Sequence, residues 1–81
     1  MANLAKVKGQ NKFLENYLRG TGKTLSTAQA MANYGIQRMA ARVYDLRAAG
    51  LNVKTIRRPG ATATYRISAR DITGSRAKVF G

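Results

Sequence analysis

The sequence predicts an α+β domain, mainly α-helical, in which three helices precede a β-hairpin. Two observations support this prediction. Residues 10–49 contain three blocks of apolar residues at helical spacing, and glycines separate the blocks. After Gly50 the periodicity changes to the alternation of strands, on both sides of the turn signal Pro59-Gly60.

Length and charge limit the possible functions. The chain has 81 residues, which corresponds to one domain near the lower size limit of a single stable core. Its 15 Lys and Arg residues oppose 3 acidic residues, so the net charge is +12. Because so many like charges repel one another in a compact fold, the composition indicates a polyanionic partner. DNA, RNA and an anionic membrane surface are the candidates.

The composition argues against an enzyme. Cys and His are both absent, which removes the disulfide, the thiol nucleophile and the usual ligands of zinc. The carboxylates Glu15, Asp45 and Asp71 lie in three different parts of the chain. We therefore expect no catalytic site, no metal and no cofactor.

No segment predicts association with a membrane. No apolar run approaches the ~20 residues that a membrane span requires. The start, Met1 to Lys8, lacks the apolar run of a signal peptide. We therefore expect a cytoplasmic protein that does not bind membranes.

The first helix is predicted from Gln10 to Arg19, after a flexible basic arm over residues 1–9. Glu15 precedes Arg19 by four residues, which is the favoured order for a surface ion pair. The glycines of residues 20–22 end the helix. The apolar stripe of this helix consists of Phe13, Leu14, Tyr17 and Leu18.

The second helix is predicted over residues 27–33, after a short extended piece at residues 23–25. Ser26 and Gln29 have the spacing of a capping box, in which each side chain bonds the backbone of the other residue. Gly35 then supplies the positive φ that a tight turn between two helices requires.

The third helix is predicted over residues 37–49, with Gly50 as its stop. Steps of 100° per residue assign its positions to two faces. The predicted core face consists of Ile36, Met39, Ala40, Val43 and Leu46. The opposite face consists of Gln37, Arg38, Ala41, Arg42, Asp45 and Ala48. Tyr44 is interpreted mainly as a flank of the core, and a phosphate contact of its hydroxyl is the lesser alternative.

The hairpin is predicted between Val53 and Ser68, with Tyr65 and Ile67 facing inward. The folded domain is therefore predicted to span residues 10–68. Residues 69–81 show little pattern beyond their basic side chains, and they predict a flexible basic tail.

The predicted order of helix, helix, glycine turn, longer helix and hairpin is that of a winged helix-turn-helix. In a helix-turn-helix the second helix of the pair lies in the DNA major groove. Basic residues on the hairpin suit contact with phosphates. The candidate DNA-binding residues are Gln37, Arg38, Ala41, Arg42 and Asp45 on the helix, and Lys54, Arg57, Arg58 and Arg66 on the hairpin.

These candidates have distinct expected roles. Gln37, Arg38 and Arg42 can donate to base edges or phosphates, and Ala41 allows close approach to a thymine methyl. Asp45 has two interpretations: it fixes Arg42, or it excludes a phosphate. The alternative for the whole set is an ordinary solvated helix face beside edge-strand cations that prevent aggregation.

A set of residues between Leu25 and Gly50 carries a family resemblance. It consists of Leu25-Ser26-Thr27, Ala30, Tyr34-Gly35-Ile36, the run from Arg38 to Arg47, and Gly50. With these residues the segment resembles a phage-type family of small winged helix-turn-helix DNA-binding proteins. With the first helix and the hairpin, the resemblance covers roughly residues 11–68. It implies DNA binding, groove-facing Arg38 and Arg42, and a regulatory or accessory role in a bacteriophage or prophage.

We expect double-stranded DNA as the partner, bound by a monomer or by a weak homodimer that assembles on DNA. Two alternatives remain open. In the first alternative, the domain is a protein-interaction module, for example one that binds a host transcription component. Alternatively, the same positive charge binds RNA.

Overall fold

The computed structural model describes residues 4–80. Within them the chain forms helices and strands in the predicted order, so the mainly helical α+β class is confirmed. The elements are α1 (Leu4–Leu18), β1 (Leu25–Ser26), α2 (Thr27–Tyr34), α3 (Met39–Ala48), β2 (Val53–Ile56) and β3 (Thr64–Ile67).

The first helix is longer than predicted. It begins at Leu4 and not at Gln10, so residues 4–9 are helical where the sequence predicted a flexible arm. Leu, Ala and Lys at these positions are strong helix formers, and one glycine weakens a helix by about 1 kcal/mol without ending it. Residues 1–3 of the predicted arm lie outside the described residues.

The start of α2 confirms the capping box. The Ser26 hydroxyl accepts the N–H of Gln29 at 3.0 Å, and the Gln29 side chain accepts the N–H of Ser26 at 3.1 Å. The extended piece before it is a short strand, β1, in which Leu25 pairs with Tyr65. A cap and a strand therefore fix the entry into α2 together.

Gly35 forms the predicted turn between α2 and α3. Its φ is 66°, in the left-handed region that favours glycine. The N–H of Ile36 reaches back to the carbonyl of Ala30 at 3.0 Å, as in a glycine-terminated helix end. The next helix then begins at Met39, two positions later than predicted.

The three strands form an antiparallel sheet in the order β1-β3-β2. Its register opposes Lys54 to Arg66 and Thr55 to Tyr65. Tyr65 and Ile67 are buried against the helices, as predicted, whereas Lys54 and Arg66 are exposed on the outer face. The hairpin of β2, β3 and the loop between them is called the wing below.

One core joins all the elements. From α3 and the turn before it, the core takes Ile36, Met39, Val43 and Leu46. The prediction that Ala40 belongs to this stripe is wrong, because Ala40 is exposed. A step of 100° from Met39 carries Ala40 off the stripe. The remaining core residues are Leu14, Leu18, Leu25, Ala30, Leu51, Val53, Tyr65 and Ile67.

The segment after β3 is docked on the end of α1 and on Arg19, which follows it, in contrast to the flexible tail that the sequence predicted for residues 69–81. Gly81 lies outside the described residues. The Arg19 guanidinium donates to the carbonyls of Ala69, Ser75 and Ala77 at 3.1, 2.9 and 2.8 Å. Phe80 packs against the core at the end of the described segment. Hydrogen bonds to α1 therefore hold residues 69–80, which we call the C-terminal segment.

Glu15 is the second anchor of the C-terminal segment. Its carboxylate accepts the N–H groups of Val79 and Phe80 at 2.9 and 2.8 Å. It also pairs with Arg19 at 2.8 Å, and both side chains are buried, so the predicted surface location of this pair is wrong. Burial raises the pKa of Glu15, but these two N–H donors and Arg19 outweigh it and hold the pKa below its ordinary value.

The docking of the C-terminal segment predicts a pH-dependent stability. Because the folded pKa of Glu15 is depressed, its contribution is present above the pKa of an unfolded glutamate and is lost as the pH falls through the folded value. We expect Glu15→Gln to lower the free energy of unfolding by about 2 kcal/mol at neutral pH. At pH 3 the difference from the wild type should shrink. Urea unfolding at the two pH values measures both quantities.

Lys78→Ala is the matched control for this prediction. Lys78 lies in the same segment, but it is exposed and bonds only the surface residue Asn16. We expect a change below about 0.5 kcal/mol and an unaltered pH profile. Equal stability of Glu15→Gln and the wild type at neutral pH would contradict the role of the carboxylate.

Candidate nucleic-acid interface

One flank of α3 is held against α1. Asp45 lies 3.1 Å from the Nε of Arg42 and accepts a long hydrogen bond of 3.5 Å from the amide of Asn11. The Arg42 N–H is not aligned with the carboxylate oxygen, so their contact is an ion pair without a hydrogen bond. The predicted Arg42–Asp45 pair is therefore present, and it lies at the α1 side of α3.

This location limits what Arg42 can reach. Its side chain is 14% exposed, whereas the Arg38 side chain lies in the exposed lead-in to α3. Arg38 occupies the position before the helix and makes no capping hydrogen bond with its side chain. The structure therefore separates the two arginines that the sequence placed on one face.

The other flank of α3 is held against the wing by Arg47. Its guanidinium donates to the carbonyl of Val53 at 3.0 Å and to the hydroxyl of Thr55 at 2.9 Å. Arg47 was not among the predicted DNA-binding residues. A basic residue in the last turn of a helix was the available signal, but that position alone does not indicate a contact with β2.

Between the two flanks, α3 and the turn before it present one open strip to solvent. Gln37, Ala40, Tyr44 and Ala48 are exposed, and Ala41 is half-buried beside them. We call these five residues the α3 strip. Tyr44 is 74% exposed, so its interpretation as a flank of the core is wrong. Its ring is the largest side chain on the strip.

The wing carries the four basic residues that the sequence predicted, and all of them are exposed. Lys54 and Arg66 are direct cross-strand partners on the outer face of the sheet. Like charges in this arrangement destabilise a sheet unless an anion or solvent compensates them. Arg57 and Arg58 follow β2 directly and lead into the loop of the wing.

The loop of the wing is anchored at its base. The N–H and hydroxyl of Thr27, the first residue of α2, both donate to the carbonyl of Ala63, at 3.0 and 3.3 Å. This contact ties the wing to the start of α2. The cations of the wing therefore extend from a fixed base beside the helices.

The acidic side chains are all engaged elsewhere. Glu15 pairs with Arg19, Asp45 pairs with Arg42, and Asp71 accepts N–H groups of its own turn from Thr73 and Ser75. Among residues 9–80 the ion pairs do not involve the four cations of the wing. Their positive charge is available to a polyanion.

A separate exposed surface lies on α1 and α2. The ring of Tyr34 lies 4.8 Å from that of Phe13 and 5.6 Å from that of Tyr17, measured between centroids. Met31, three positions before Tyr34 on α2, is 52% exposed, and the Lys23 ammonium lies 4.8 Å from the Tyr17 ring centroid. We call Phe13, Tyr17, Met31 and Tyr34 the aromatic surface.

Residues 4–80 contain no group of three or more side chains suited to hold a metal ion. None of the helices in this range has the length and apolar character needed to cross a membrane.

The Arg47 contacts predict that this residue stabilises β2. We expect Arg47→Ala to remove about 1.5 kcal/mol of local stability, because it deletes hydrogen bonds from a charged donor. Amide exchange at Val53–Ile56 should then accelerate about tenfold in hydrogen-exchange NMR. Arg66→Ala, on the outer face of the neighbouring strand, should leave these rates nearly unchanged. Equal exchange in Arg47→Ala and the wild type would show that α3 does not support the wing through this residue.

Comparison with known proteins places this geometry in a family. The family model described as a winged helix-turn-helix domain matches residues 9–78. The match therefore includes most of the C-terminal segment as well as the helices and the wing. Searches of curated proteins and of solved structures give no significant match.

Proposed function

This chain belongs to the winged helix-turn-helix domain family, and we propose that it binds double-stranded DNA. A winged helix-turn-helix is typically a non-enzymatic DNA-binding fold. The observation that carries the proposal is the open α3 strip. The helix that presents it contacts α1 on one flank and the basic wing on the other. A strip of this kind suits the major groove, and the cations of the wing suit the flanking phosphates.

The proposed contacts divide by chemistry. Gln37 and Arg38, at the start of α3, donate to base edges or to a phosphate. Ala41 allows the helix backbone to approach the groove closely. Arg57 and Arg58 neutralise phosphates near the loop of the wing, and Lys54 and Arg66 extend the positive face of the sheet. Asp45 contributes through its long hydrogen bond from Asn11 of α1, and Arg42 contributes through its ion pair with Asp45.

The biological role is proposed from the resemblance of Leu25–Gly50 to small phage-type proteins. We assign the chain to transcription regulation, or to an accessory function in a phage or prophage, within the bacterial cytoplasm. It binds as a monomer or as a weak homodimer assembled on DNA. The strong positive charge supports the dependence of any such dimer on DNA, because free copies repel one another.

A fluorescence-anisotropy titration with duplex DNA, single-stranded DNA and duplex RNA tests the proposal. We expect the tightest binding to duplex DNA. If about six phosphates are contacted, the logarithm of the binding constant should fall with the logarithm of salt at a slope near −5. Weak binding to all three at moderate salt would contradict DNA binding, and a preference for RNA would favour the RNA alternative.

Charge reversal at Arg38, just before α3, and at Arg42, within it, tests the orientation of the helix. We expect Arg38→Glu to weaken duplex binding at least tenfold while the melting temperature stays near that of the wild type, because Arg38 is exposed. Arg42→Glu should mainly lower the melting temperature, because it places a second acid beside Asp45 in a mostly buried site. The reverse pattern in binding and melting would place Arg42, and not Arg38, at the DNA.

A second candidate function is protein binding, and the aromatic surface favours it. Exposed aromatic and methionine side chains are enriched in the cores of protein interfaces. Lys23 at its edge and the net charge of the chain favour an acidic partner segment with an apolar anchor. Because the aromatic surface lies on α1 and α2, Arg38→Glu would leave the binding of a protein partner there unchanged. This outcome separates the two functions.

A further inference from the structure

Tyr44 occupies the middle of the α3 strip without a structural partner for its ring. The ring is 74% exposed. It takes no part in the aromatic contacts among the described residues, which join Phe13, Tyr17 and Tyr34. Tyr44 belongs neither to the core stripe of α3 nor to the polar contacts that Asp45 and Arg47 make on its two flanks. The packing of the domain therefore does not explain this large side chain.

The chemistry of the strip changes along its length. The hydrogen-bonding side chains Gln37 and Arg38 stand at the start of α3. From Ala40 to Ala48 the strip holds only methyl groups and the ring of Tyr44. In the major groove, the thymine C5-methyl is the group on the base edges that apolar side chains contact.

We propose that Tyr44 determines sequence specificity by packing its ring against a thymine C5-methyl in the major groove. The inference rests on the proposed function, and it names the class of site: duplex DNA with thymine beneath the middle of α3. The flanking alanines suit this role, because their small side chains let the ring reach further than its neighbours on the strip. The amide and guanidinium at the start of α3 then read the adjacent base pairs by hydrogen bonds.

Replacement of thymine by deoxyuridine tests the proposal directly. Deoxyuridine keeps every hydrogen-bonding group of thymine and lacks only the methyl. The probe is the duplex sequence that the wild-type protein enriches from a random-sequence library, with single thymines replaced in turn. We expect wild-type binding to weaken about fourfold at one or two positions, since a buried methyl group contributes on this scale.

Variants at Tyr44 separate the ring from its hydroxyl. Tyr44→Ala should bind the selected duplex more weakly and respond little to deoxyuridine at the sensitive positions. Tyr44→Phe keeps the ring, so it should retain the wild-type response. Arg57→Ala is the matched control outside α3: it should weaken both duplexes equally and preserve their ratio. Because Tyr44 and Arg57 are both exposed, all three variants should melt near the wild-type temperature.

The outcomes distinguish this inference from the proposed function. Tight duplex binding without sensitivity to deoxyuridine at any position would overturn the role of Tyr44 and leave DNA binding intact. Full wild-type sensitivity in Tyr44→Ala would overturn it as well. Failure of the wild type to bind any duplex would overturn the proposed function and this inference with it.

Discussion

The rotation of α3 about its own axis is the constraint on which the rest of the interface depends. Buried side chains at Ile36, Met39, Val43 and Leu46 set this rotation, because they occupy one stripe of the helix and fill the core. Polar contacts on both flanks then hold it. Asp45 accepts a hydrogen bond from Asn11 of α1 and pairs with Arg42, and the guanidinium of Arg47 donates to the Val53 carbonyl of β2. What remains open is one narrow strip with the exposed Arg38 beside its start, and these residues are the ones proposed to face the DNA.

A second constraint concerns the charge of the domain. A net charge of +12 on a small core opposes folding through self-repulsion. One buried carboxylate, Glu15, offsets part of this repulsion and also binds the end of the described chain. Arg19 also holds the C-terminal segment, because it donates to three of its backbone carbonyls. The C-terminal segment thus enlarges the core of a domain near the lower size limit.

Local patterns in the sequence predicted the helices, the capping box, the glycine turn and the hairpin, because each depends on residues that are neighbours along the chain. Distant contacts were not accessible in this way. The rotation of α3 depends on α1 and β2, which bury the flank at Arg42 and expose Tyr44. The hydrogen bonds from the Val79 and Phe80 N–H groups to Glu15 join residues more than sixty positions apart, and no local pattern encodes them.

DNA is proposed to contact the α3 strip and the wing. The most direct measurement is an amide and side-chain NMR titration of the labelled protein with a short duplex. If DNA binds there, the largest chemical-shift changes should fall on the strip around Tyr44, on Arg38 and on the loop after Arg57. Changes concentrated instead on the aromatic surface or on the C-terminal segment would contradict it and would place the DNA on another face of the domain.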